Sequence, residues 1–206
     1  MRLIRWSCAV VFTAITMALC GNAWGCPVIP TYTYYEVSGS SVSELEASLR
    51  ERGPKDDLGK ARFAYTDWTV EWNWKRFDDG TIDPQSIKLT CIATILLPKV
   101  ANTDGKIADD LLSAWNGFIE RTKAHELNHV SHIDKTAPAI LTRLKEEHRR
   151  TGTLTRERAE KIISEVIAEI RGLDRRYDAR TNHGFTEGTW GLRELDGRPS
   201  KNVIPQ

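Results

Sequence analysis

IADDLLSAWNGFIERTKAHELNHVSHI, residues 107–133, is the stretch that decides the fold. Leu111, Leu112, Trp115, Phe118, Ile119, Leu127 and Val130 recur at helical spacing, so it reads as one long amphipathic helix. Upstream the period changes from 3.6 to two. In a strand at roughly 62–77, Trp68, Val70, Trp72 and Trp74 alternate with Thr69, Glu71, Asn73 and Lys75. Asp79-Gly80 supplies a turn. The next strand puts Ile87, Leu89, Cys91, Ala93, Ile95 and Leu97 on one face and is expected to end at Pro98.

Further upstream lie a short Tyr- and Thr-rich strand around Thr31–Val37 and a helix opened by the capping box Ser41-Val42-Ser43-Glu44. Leu45 and Leu49 share a face of that helix, and Gly53-Pro54 stops it. Downstream, a helix restarts near Thr136 and Pro138 and runs to about Arg150. Another runs from about Arg156 to Arg176, with Ile162, Ile163, Val166, Ile167 and Ile170 as its buried stripe. After Asp178 the sequence reads as loop, and residues 185–206 as a loop-like tail. This order predicts a single α+β domain, a small antiparallel or mixed sheet packed on the helix 107–133, with further helices C-terminal to it.

The first 25 residues read differently. Arg2 and Arg5 precede an uncharged run from Trp6 to Cys20, and small residues near Ala23 and Gly25 offer a cleavage site. The run is too short to span a bilayer comfortably, so residues 1–25 are read as a signal peptide and 26–206 as an exported domain, periplasmic or secreted. Removing them turns the net charge of +1 into −1, since Arg2 and Arg5 leave with them. Such a balance lacks the basic excess of a general nucleic-acid binder. Cys8 and Cys20 also leave. The remaining Cys26 and Cys91 most simply form one disulfide in an oxidising compartment, with lipidation of Cys26 as the alternative.

Within the long helix lies His125-Glu126-Leu127-Asn128-His129. Residues four apart share a helix face, so both imidazoles can reach one metal, and Glu126 beside them can take a proton from water. Neutral imidazole suits Zn2+. Shuffling this composition would produce the motif in roughly 1% of chains. The extension H-E-x-x-H-x-x-G-x-x-H is absent, because His132 and Lys135 stand at its last two fixed positions. No methionine follows residue 25 to build the turn that goes with it.

A catalytic zinc takes three protein ligands and keeps one position open. His132 lies on the same helix face but about 10.5 Å along the axis from His125, which suits a rim or supporting residue. His148, among Lys145, Glu146, Glu147 and Arg149, reads as a solvated helix end. His183 enters a loop that could fold back on the motif, while Asp178, Glu165 and Glu169 compete with it as ligands. Asp178 could instead orient a ligand histidine. Tyr177 and Arg180 are candidates to stabilise an oxyanion, and the Trp68/Trp72/Trp74 stripe is read as sheet core or cleft wall.

Tyr34-Tyr35-Glu36-Val37-Ser38-Gly39, the Trp68/Trp72 strand, Ala124-His125-Glu126-Leu127-Asn128-His129 and Tyr177-Asp178-Ala179-Arg180-Thr181-Asn182-His183-Gly184 together resemble a bacterial family of predicted secreted zinc-dependent proteases, otherwise labelled a domain of unknown function. The resemblance covers nearly all of residues 26–206. It implies a zincin-like peptidase acting on a peptide or protein substrate, with His125 and His129 as zinc ligands, Glu126 as base and His183 as third ligand. Two other functions fit the motif: a zinc amidase acting on cell-wall peptides, and a non-catalytic module braced by zinc.

Overall fold

A computed structural model describes residues 26–56, 58–101, 107–189 and 192. The expected signal peptide lies outside these residues, as does most of the expected tail. Three strands, β1 (Thr31–Val37), β2 (Tyr65–Asn73) and β3 (Lys88–Val100), form one mixed sheet in the order β1-β3-β2. Four helices complete the α+β fold: α1 (Val42–Arg52), α2 (Asp109–Thr136), α3 (Ala139–Thr151) and α4 (Arg156–Thr181). A 3-10 turn follows at Phe185–Glu187.

β2 and β3 are an antiparallel pair, with Val70 opposite Cys91 and Trp72 opposite Leu89. β1 joins the other side of β3 in parallel, Tyr32 opposite Ile95. β3 does not stop at Pro98 but continues to Val100. Its pairing with β2 ends at Leu96, so Pro98 sits where only β1 adjoins it and a missing N–H is tolerated. Ser41 caps α1 by accepting the Glu44 N–H, while the Glu44 carboxylate accepts the N–H of Ser40, close to the expected capping box. Cys26 and Cys91 form a disulfide, with Cα atoms 5.7 Å apart, that ties the start of the described chain to the central strand.

α2 serves two apolar cores. Its first half packs Leu111, Trp115 and Phe118 against Val37, Leu45 and Leu49. Its last turns pack Val130 and Ile133 against Ile95, Leu97, Ile140, Leu144 and the isoleucine stripe of α4. Leu112 and Leu127 of the expected stripe are exposed instead, because each lies one position off the buried face. Between the two cores that buried face turns polar: Thr122, His125, Glu126 and His129 are all under a tenth exposed. Burying four polar groups in succession is costly unless partners are supplied. For His125, Glu126 and His129 the partners come from β2, α4 and the turn after α4, while Thr122 Oγ1 has none among the described residues.

Candidate metal centre

α4 packs against α2 and presents Asp174 and Asp178 to the motif, four residues apart on one face. Asp178 Oδ1 lies 3.3 Å from His125 Nε2 and 3.2 Å from His129 Nε2. In tetrahedral zinc coordination, ligand atoms about 2.0–2.1 Å from the metal stand roughly 3.3–3.4 Å from one another. Both Asp178–histidine separations therefore match an edge of one tetrahedron, and all three atoms lie within 4.8 Å of one another. His125, His129 and Asp178 form a group that could hold a metal ion.

The opposite ring nitrogens are both held by carboxylates. Glu187 Oε2 lies 2.8 Å from His125 Nδ1, and Asp174 Oδ1 lies 3.0 Å from His129 Nδ1. A carboxylate only accepts, so each Nδ1 carries a proton, and each Nε2 faces the Asp178 carboxylate, where a positive charge, a second ring proton or a metal ion, has to stand between them. Two Nε2 atoms and an oxygen then face one point that a cation can fill. Without a metal the histidines take up that positive charge themselves. Burial opposes charge on His129, yet Asp174 and Asp178 outweigh it and push its pKa up to about 10. His125 is likewise raised against its burial by Asp178 and Glu187. Despite its own burial, Asp178 is held far below the usual carboxylate range by the two histidines.

Glu126 is buried beside them. Its Oε2 accepts a 2.6 Å hydrogen bond from Thr66 Oγ1 of β2, which leaves Oε1 for other partners. Burial raises its pKa, with Thr66 and the two histidines acting in the opposite direction. A carboxyl with elevated proton affinity, fixed beside the three converging atoms, is placed to accept and return a proton.

The turn after α4 builds the far side. Asn182, His183 and Gly184 are three consecutive residues with positive φ, 49°, 54° and 81°. A Cβ on Gly184 would come within 2.4 Å of Thr189 Oγ1, so this position takes no side chain. The reversal brings Glu187 back over His125, and Arg121 Nε anchors it by donating to the Gly188 carbonyl. Tyr177 donates its hydroxyl to Glu187 at 2.9–3.0 Å, accepts from Asn128 Nδ2, and stacks on His125 at 4.8 Å.

His183 sits beside the group rather than within it. Its Nδ1 is 3.6 Å from Asp178 Oδ2, its Nε2 accepts from Arg62 Nη2 at 3.2 Å, and its side chain is 42% exposed. Asp178 reaches the converging position because α4 runs on to Thr181, beyond the expected end at Arg176, and still faces α2 there. Glu165 and Glu169 are on an exposed face, and Glu169 pairs with Arg143. Tyr177 is engaged on the Nδ1 side of His125, away from the converging Nε2 atoms, and Arg180 lies over the Tyr177 ring. His132 donates to Asp174 at 2.7 Å and so helps fix the carboxylate that holds His129. His148 is half-buried on α3, not solvated.

Sequence reasoning missed Asp174, Glu187 and Thr66. Asp174 had a readable signal, its four-residue offset from Asp178, while Thr66 and Glu187 had none. The Trp68 indole donates to Asp174 Oδ2 at 3.0 Å, so part of the tryptophan stripe supports the site. All of this opens into a cleft of about 1070 Å³ between β2, α2 and α4.

Residues 32–184 match the family model described as "Bacterial protein of unknown function (DUF922)". The chain belongs to the DUF922 family. Searches of curated proteins and of solved structures found no significant match to this DUF922 chain. The matched span contains every residue of the metal group and ends at Gly184, just before the turn that carries Glu187.

Proposed function

We propose that this DUF922 chain is an exported, zincin-like zinc metallopeptidase. The observation that carries the reading is the convergence of His125 Nε2, His129 Nε2 and Asp178 Oδ1 next to a buried Glu126, at the floor of an open cleft. Two nitrogens and one carboxylate oxygen are a donor set that suits zinc. Zinc bound there would supply a Lewis acid for a carbonyl in the cleft and lower the pKa of water.

The protein's own residues do the rest. Thr66 holds Glu126 Oε2, so Oε1 takes the proton of the attacking water and later delivers it to the leaving amide nitrogen. Asp174 and Glu187 fix both imidazole tautomers. The cleft admits a chain of several residues, which favours a peptide substrate over a closed structural zinc site, where four protein ligands would be expected. The disulfide supports an oxidising compartment, and no helix among the described residues is long and apolar enough to cross a membrane.

Purified protein is expected to carry one zinc and to cleave unfolded protein or peptide substrates. Glu126→Gln should keep the metal and lose cleavage. A variant that cleaves at the wild-type rate would remove Glu126 from the chemistry, and zinc bound with no hydrolysis of any peptide or cell-wall fragment would favour the bracing role.

A further inference from the structure

Buried polar atoms in folded proteins nearly always have partners, and those that lack one point to something missing from the picture. Among the described residues, three buried side-chain polar atoms have no hydrogen-bond partner: Arg62 Nη1, Thr122 Oγ1 and His148 Nδ1. Two of these three, Arg62 and Thr122, line the metal cleft. Thr122 is 2% exposed and lies one helical turn before Glu126. Arg62 is fixed in place. Its Nη2 donates to Asp56 Oδ2 at 2.8 Å and to His183 Nε2 at 3.2 Å, and its backbone N–H donates to the Pro54 carbonyl. Asp56 is in turn locked by the N–H groups of Leu58 and Lys60. One side of a rigidly held guanidinium is thus spent on the protein, and Nη1 is left over.

The charges along the cleft point the same way. Glu126, Asp174 and Asp178 are engaged with Thr66 and the histidines, and Asp56 with Arg62. Asp67 then stands against Lys55, Arg171 and Arg175, with Arg171 held over the Trp68 ring at 6.0 Å. Away from the histidine cluster basic side chains thus outnumber acidic ones along the cleft, and a carboxylate matches a guanidinium edge.

We infer that Arg62, the charged one of the two cleft-lining groups with an unpartnered atom, receives a carboxylate of the substrate, so that the protein acts on peptides bearing a carboxylate close to the bond that is cut. This rests on the peptidase reading for its reaction but not for its binding. The carboxylate could be an acidic side chain or the free C-terminus, and the test separates them.

Two pairs of short peptides are compared: an end-blocked peptide with Glu against Gln, and a neutral peptide ending in a carboxylate against its amide. In at least one pair the carboxylate form should have a kcat/KM roughly tenfold higher, the scale of one hydrogen bond to a charged group. Which pair responds identifies the source. Arg62→Gln should abolish that preference through KM, with Arg62→Lys falling between, since it keeps the charge but loses the fork. Zinc content and circular dichroism establish that both variants are folded.

Calorimetric binding of the same peptides to Glu126→Gln gives a readout that needs no turnover. If the carboxylate form binds Glu126→Gln more tightly, and the added substitution Arg62→Gln removes the difference, the inference stands. It stands in that case even should wild type cleave no peptide, a result that would sink the peptidase reading alone. Equal binding within each pair, or a preference that survives Arg62→Gln, overturns the inference.

Discussion

Asp174 and Asp178 are the same residue type, one turn apart on the same face of α4, and each places one oxygen within 3.3 Å of two histidines. They do opposite things. Asp178 Oδ1 meets the Nε2 atoms of His125 and His129, whose Nδ1 atoms are held by Glu187 and Asp174. Asp174 Oδ1 meets the Nδ1 atoms of His129 and His132, while its Oδ2 accepts from Trp68. By proximity alone His129, His132 and Asp174 also form a group that could hold a metal. The difference lies in which atoms face inward. Around Asp178 two Nε2 atoms and an oxygen converge on one point that a cation can fill; around Asp174 the Nδ1 donors already satisfy the acceptor. A cluster becomes a candidate metal site through which of its ring nitrogens face inward, and the neighbouring cluster sets that direction.

The largest expected effect comes from breaking the first cluster. Asp178→Ala removes a ligand atom and should weaken zinc binding by more than about 100-fold, beyond the range for outer partners. Competition with a chelator measures it. Asp174→Ala leaves all three ligand atoms in place and should cost about 10–100-fold in affinity, with a cobalt-substituted spectrum of unchanged geometry. If Asp174→Ala proves the more damaging, the roles of the two aspartates are reversed. His132→Ala touches only Asp174 and should change zinc affinity by less than about tenfold. Removing both Cys26 and Cys91 should leave zinc affinity as it was, because the disulfide sits in the sheet. Denaturant unfolding of that variant should show a loss of roughly 2–4 kcal/mol from the longer free chain.

The contrast between the aspartates also shows where sequence reading stops. The helix carrying His125, Glu126 and His129 was legible because both apolar period and motif spacing are local. The β2–β3 pair was legible from alternation for the same reason. The parallel docking of β1 on β3 was not, since strand order is set by tertiary packing. Asp174 is hidden in Leu173-Asp174-Arg175-Arg176, which reads as a solvated face. Asp178 was visible as a candidate, but the apolar stripe of α4 fades after Ile170 while the helix itself continues to Thr181. The last turn is held by the site instead. Thr181 bonds the Tyr177 carbonyl and receives the Gly184 N–H, and Asn182 closes the helix in the left-handed conformation. Residues that read as loop are a helix end shaped by what it surrounds.

The central claim is the identity of the three ligand atoms. Anomalous diffraction at the zinc edge, from crystals of the zinc-loaded protein, tests it most directly. The account predicts a single peak within about 2.2 Å of His125 Nε2, His129 Nε2 and Asp178 Oδ1. A peak between His129, His132 and Asp174, or one bonded to His183 in place of Asp178, would contradict it.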